Sequence, residues 1–253
     1  MELWTYKHFI TYIPSLAFMV TLAVILRKLL SNKTEKIRLI PLQISAVILI
    51  GLEAGKQIIS LKNGYDLYHL PLHFCSMFIF MIPLAAFYKG KYRQHILSFT
   101  SFICATLFVF MLVYPNSVYS EESIDLMFID FLCFHKVAFH NVAIFAFLLI
   151  LALGLYEPRA KFDYKNAAIA LPCYYIIGGV MAQILKTNFN NFYYCTADVV
   201  DNVRLLIIES IGYPLGQTVY VIGASAVNLA FAFLSYPVCR FLHYLINERK
   251  STR

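Results

Sequence analysis

The sequence predicts an all-α fold, a polytopic transmembrane bundle of about seven spans forming a single integral membrane domain over residues 1–253. Three observations predict it. Hydrophobic residues make up 60% of the chain and charged residues only 14%, where soluble domains carry about 25% charged. The mean hydropathy is +0.67. Apolar runs of about 20 residues, the length that crosses a bilayer, recur along the whole chain.

The spans are read at 9–30, 38–60, 70–88, 95–113, 134–155, 167–186 and 212–240. The first is not a signal peptide, because no basic segment precedes it and Arg27, Lys28, Lys33, Lys36 and Arg38 follow it. The third begins near Pro71, expected in the first helical turn, where its missing N–H is tolerated. The stretch 121–133 is apolar but carries Asp125 and Asp130, so it is expected along the interface ahead of the fifth span. The last span is long enough to tilt.

Basic residues set the orientation. The connections 27–38, 89–93, 159–165 and 240–253 hold five, three, three and four Lys or Arg, whereas the alternate connections hold Lys7, Lys62, Lys186 and Arg204. The positive-inside rule then puts the N-terminus outside and the C-terminus inside, in a multi-pass protein of the cell membrane. The net charge of +7 is read as basic loops facing anionic lipid, and no nucleic-acid partner is expected. Six cysteines show neither a CxxC pair nor zinc-ligand spacing, so no disulfide framework is expected. Oligomeric state is left open.

Ionisable side chains inside a bilayer are costly, about 2.5–3.5 kcal/mol each on insertion scales, so each needs a reason. At 1.5 Å per residue, Cys75 is expected roughly 8 Å below the outer rim, His140 about 9 Å and Glu53 about 10 Å. Lys56 lies one turn above Glu53, and Gln183, Tyr213 and Gln217 fall in the same outer third. Cys75 sits near a helix start, beside His73, in "YHLPLHFCS". Helix N-termini and nearby histidines both favour a thiolate. A cysteine with a histidine base is the recurring arrangement for covalent acyl transfer. His140, in "FHKVAFHN", is the base by depth, with Asn141 adjacent to orient it and Lys136 one turn away to keep it neutral.

Other readings stand beside these. Cys75 alone is also an ordinary small core residue. Glu53 and Lys56 also fit a simple helix-face ion pair. His69 and His73 are spaced i, i+4, as two metal ligands on one helix face would be, but no third ligand follows by spacing, so no metal is expected. His8, His95 and His243 lie at span ends and are read as solvated. The run "NFNNFYY", 188–194, fits an interfacial aromatic belt, and its asparagines, Asn191 among them, are expected at a pocket mouth.

The stretch "LPLHFCS", 70–76, resembles the P-L-H-x-C signature of the YwaF-like integral membrane proteins, whose animal relatives are transmembrane acyltransferases of ether-lipid metabolism. "NNFYY" (190–194) and "IGYPLGQTVY" (211–220) resemble later elements of that family, with "GYPLG" in place of its tryptophan-proline stretch. The resemblance implies a polytopic fold, a cysteine nucleophile and a histidine partner mapping to His140, and for the animal branch transfer of a fatty-acyl chain between phospholipids. The expected function is therefore a cysteine-dependent acyltransferase or hydrolase. Cys75 and His140 would be catalytic on phospholipid or lysophospholipid esters, with no cofactor. His73 and Lys56 would hold a phosphate or oxyanion. Expected substrate contacts also include Glu53, Lys136, Asn141, Gln183, Asn191, Tyr213 and Gln217. The alternative is a small-molecule transporter or substrate-binding membrane subunit using the same polar layer, with Glu53, Lys56, Gln183 and Asn191 as contacts.

Overall fold

In lipid a chain must satisfy its backbone polar groups internally, which favours helices. The described residues, 3–247, form helices joined by short turns, with no strand among them, in a computed structural model. Arg249, Lys250 and Arg253, three of the four basic residues assigned to the C-terminal side, lie outside the described residues. In order the helices are α1 (Tyr6–Leu30), α2 (Glu35–Arg38), α3 (Ile40–Lys62), α4 (Met77–Phe87), α5 (Arg93–Val113), α6 (Glu121–Asp125), α7 (Phe131–Ala152), α8 (Ala160–Leu185), α9 (Asp198–Ile211) and α10 (Tyr213–Asn247).

Six of the described helical segments are long and apolar enough to cross a membrane: Tyr6–Leu30, Glu35–Lys62, Arg93–Val113, Phe131–Ala152, Ala160–Leu185 and Tyr213–Ile246. The protein is a multi-pass helical bundle. The expected span 70–88 is shorter, an apolar segment over Phe74–Phe87. Its α-helix starts only at Met77, so Pro71 lies in a turn between two 3₁₀ turns, Leu67–His69 and Phe74–Ser76, rather than in a helical first turn. His69 and His73 consequently share no helix face. With α4 only 11 residues long, about 16 Å at 1.5 Å per residue, the chain ahead of it must dip into the bundle. Irregular backbone is tolerated at that depth where protein surrounds it or it lines a cavity.

Contacts tie the turns together on each face, and the starts of α3 and α5 lie on the same one because the short α4 returns the chain between them. On the N-terminal face Lys7 pairs with Asp125 at 2.6 Å and Glu121 at 3.3 Å. His8 is fully buried there rather than solvated, with Nε2 donating to the Tyr119 carbonyl at 2.7 Å. On the opposite face Arg38 donates to the Leu153 carbonyl at 2.7 Å and Arg93 pairs with Glu35 at 2.5 Å. α5 and α7 are the most buried spans and form the centre, with α1, α3, α4, α8 and α10 around them. The outward sides of those outer helices present large apolar residues such as Phe18, Ile176 and Val227, as suits a lipid-facing surface.

Asp130 begins α7 by accepting from the Cys133 N–H at 2.8 Å. The helix therefore starts at Phe131, three residues before the expected 134. Gly55 lets α7 approach α3: a Cβ there would lie 2.6 Å from the Phe131 ring. α9 was unforeseen. Its 14 residues have no buried member, and Val199, Val203 and Leu206 project outward one turn apart. Asp198, Asp201 and Arg204 in its first two turns mask the apolar period. Gly216 of α10 packs against its backbone, where a Cβ would lie 2.7 Å from Ile208 Cα.

Candidate active site

The turn 70–76 is fixed from below by one asparagine. Asn190 Oδ1 accepts from the Phe74 N–H at 2.6 Å, and its Nδ2 donates to the Leu72 carbonyl at 3.0 Å. Tyr174 donates to the same carbonyl at 2.7 Å. This two-point clamp sets the backbone on which Cys75 sits, one residue beyond Phe74. Asn190 and Asn191 both adopt positive φ, 53° and 60°, a region asparagine enters more readily than most residues. Lys186, at φ 49°, ends α8 and turns the chain into this loop. Asn190 was expected only as one of the asparagines at a pocket mouth, and it does line a cavity; its clamp on the turn was not expected.

Cys75 is half-buried and lies just ahead of the α4 N-terminus. It lines a cavity of about 390 Å³ together with Glu53, Lys56, His73, His135, Lys136 and His140. Expected residues from α3, the 70–76 turn and α7 are thus brought together. His140 is 8% exposed. Its Nδ1 lies 2.6 Å from the Lys136 carbonyl oxygen; a carbonyl only accepts, so Nδ1 carries the proton in the neutral ring. That leaves Nε2 as the lone-pair nitrogen, and Nε2 is buried with no hydrogen-bond partner. The orienting group is the Lys136 backbone, not Asn141. Asn141 instead accepts from the Tyr119 hydroxyl at 2.9 Å and does not line this cavity.

Glu53 anchors the charged end of the cavity. Its Oε1 meets Lys56 at 2.8 Å and accepts from Gln57 at 2.7 Å. Its Oε2 lies 3.4 Å from His135 Nε2. His135 stacks on Phe139 with ring centroids 5.2 Å apart. His135 and Gln57 were passed over in the sequence, although His135 stands in the quoted stretch; its role follows from the α3–α7 approach at Gly55. Gln57 also donates to the His69 carbonyl at 2.8 Å, tying the turn to α3. His73 donates Nε2–H to the Tyr68 carbonyl at 3.0 Å.

The other expected contacts fall elsewhere. Gln183 and Gln217 both donate to the Phe192 carbonyl, at 2.8 and 2.9 Å, so both brace the 189–194 loop. With Tyr213 they line a separate apolar groove of about 550 Å³ between α8 and α10. Arg204 reaches Gln217 at 3.3 Å from its pair with Asp201, and that pair holds the Asp201 carboxyl below its ordinary range. Asn191 lines a third cavity of about 370 Å³, bounded by α5, α8, α10 and the Phe74–Cys75 turn. The four contacts expected for a transporter therefore do not share one pocket. The same polar depth does not imply the same cavity, because helix rotation decides which way each side chain faces.

Removing the clamp separates two effects. Asn190→Ala is expected to lower stability by about 2 kcal/mol or more, from an orphaned N–H and carbonyl and from alanine at positive φ. Asn190→Gly should recover about 1 kcal/mol of this by removing the backbone penalty while still losing the clamp. Thermal unfolding of the three proteins in detergent checks the order; equal stability of the glycine variant and the parent would remove the clamp from the account.

No curated protein and no solved structure matches the chain. The profile of the TMEM164 family, by contrast, matches residues 3–236 and so takes in every segment that builds this site. The chain belongs to the TMEM164 family.

Proposed function

We propose that the chain is a membrane-embedded acyltransferase in which Cys75 takes an acyl group from a phospholipid or lysophospholipid ester. One observation carries this reading: the cavity lined by Cys75 is also lined by His140, whose buried Nε2 has no partner. An unsatisfied buried nitrogen is unfavourable unless a ligand or a reacting proton meets it. The likeness of residues 70–76 to the YwaF-like signature supports the same assignment, as does its link to ether-lipid acyl transfer.

The chemistry proceeds in two balanced steps. His140 Nε2 accepts the Cys75 thiol proton and the sulfur attacks the ester carbonyl carbon. A C–S bond forms, the C–O bond breaks, and His140 returns the proton to the departing lipid alkoxide. An acceptor alcohol then gives its proton to Nε2 and attacks the thioester; a C–O bond forms, C–S breaks, and the thiol is restored. The Lys136 carbonyl fixes the ring tautomer throughout. Lys56 and His73 supply the polar end for a headgroup phosphate or the developing oxyanion. Water in place of the alcohol would make the same site a hydrolase. The protein is assigned to the cell membrane, and basic-residue counting turns the site toward the outer leaflet.

The test is an intact-mass measurement. Protein in nanodiscs of a phosphatidylcholine with a single acyl type should gain that acyl mass on the Cys75 peptide, and hydroxylamine should remove it as a thioester. Acyl transfer that proceeds at full rate without any such adduct would overturn the mechanism.

A further inference from the structure

Cys75 lines two cavities, one with charged side chains in its wall and one without. The one already described carries Glu53, Lys56, His73, His135 and His140. The second, of about 370 Å³, adjoins Cys75 and is walled by Phe74, Leu107, Phe110, Tyr175 and Phe231, with Thr106, Asn190, Asn191 and Asn228 as its polar members and no charged one. It also includes Val227, which is 70% exposed on the outer surface of α10. The chamber thus extends to a residue that faces the lipid. Tyr175 lines both this chamber and the groove between α8 and α10. Its ring is held edge-on to Phe192 at 5.9 Å and is itself only 4% exposed.

We infer that the second cavity is the acyl-chain chamber, entered from the hydrocarbon at Val227 and closed at its far side by Tyr175. This inference rests on the acyl-transfer reading for the identity of its occupant. Four observations select a fatty-acyl chain: the wall is mostly apolar, the mouth faces lipid, the chamber adjoins the sulfur, and the charged groups are segregated into the other cavity. A fatty ester whose carbonyl sits at Cys75 would then divide at that atom, tail into the apolar chamber and headgroup toward Lys56 and His73. Tyr175 becomes the residue that limits chain length. With a smaller side chain there, the chamber and the α8–α10 groove become continuous, and longer tails fit.

Graded thiol probes test this without requiring turnover. N-alkylmaleimides add the thiol sulfur and its proton across their double bond, so no co-reactant is needed. The protein in detergent is treated with N-ethyl-, N-octyl-, N-dodecyl- and N-octadecylmaleimide, and labelling is read by peptide mass spectrometry. Labelling of Cys75 is divided by that of Cys173, an exposed cysteine on α8 that corrects for probe partitioning.

In the wild type this ratio should rise at least tenfold from ethyl to an intermediate chain and then fall. Val227→Trp, a change at an exposed site, should remove the rise while leaving N-ethylmaleimide within twofold. Tyr175→Ala should move the maximum to a longer chain. A ratio independent of chain length, or a Val227→Trp profile identical to wild type, overturns the chamber. A length-dependent profile in a protein that forms no acyl-enzyme keeps the chamber and removes the reaction. A flat profile with normal transfer does the reverse.

Discussion

Cys75→Ala is expected to reduce acyl transfer by on the order of 10³-fold or more, because loss of the nucleophile removes the covalent route entirely. The fold should survive: Cys75 is half-buried, and deleting one sulfur beside two existing cavities adds little new void. Retained thermal stability with lost transfer is the expected pair of results. His140→Gln should lose a comparable factor, and the double variant should be scarcely worse than either single one, since residues acting as a unit are non-additive. A phospholipid carrying a labelled acyl group, followed into a lysophospholipid acceptor in nanodiscs, measures all three. Undiminished transfer by Cys75→Ala would remove the nucleophile assignment. Additive losses in the double variant would separate the two residues into different steps.

Asp163→Ala carries the largest expected effect on stability. This carboxylate is fully buried on the face opposite the site and forms no salt bridge among the described residues. Instead it accepts from the hydroxyls of Ser98, Tyr156 and Tyr236 and from the Arg159 N–H at 2.7 Å. It therefore joins α5, α8, α10 and the 153–159 turn through one residue. Removal leaves several buried donors unsatisfied, each at about 1–3 kcal/mol, so a total loss of roughly 3–5 kcal/mol is expected after partial relaxation. Asp163→Asn should be nearly as harmful, because an amide N–H₂ would face donors. Tyr236→Phe, which keeps the stacking on Phe102 at 5.1 Å, should lose about 1.5–3 kcal/mol. Denaturant titration in mixed micelles reads these differences. A loss below about 1 kcal/mol for Asp163→Ala would show that the four hydrogen bonds contribute little net energy.

Much of this protein was legible from its residues. Lipid permits only a few backbone solutions, so runs of about 20 apolar residues announced the spans and the clustering of Lys and Arg paired the loops by face. Cys75 and His140 were singled out by depth, and both line one cavity; the count along a helix holds for His140 but not for Cys75, which lies in the turn ahead of α4. Rotation about the helix axis and approach between helices do not follow from counting. Gln183 and Gln217 lie at a suitable depth yet brace a loop, and Asn141 faces Tyr119 rather than the site.

The short α4, the turn that sinks Cys75 into the bundle and the Asn190 clamp depend on contacts across more than a hundred residues of chain. His135 meets Glu53 because Gly55 lets two helices close. Composition picked out six of the seven expected spans, because suitability for lipid is a property of each segment's own residues, and it overran only at the short α4. Tertiary structure alone decided which polar groups share a cavity, because that depends on how helices rotate and pack against one another.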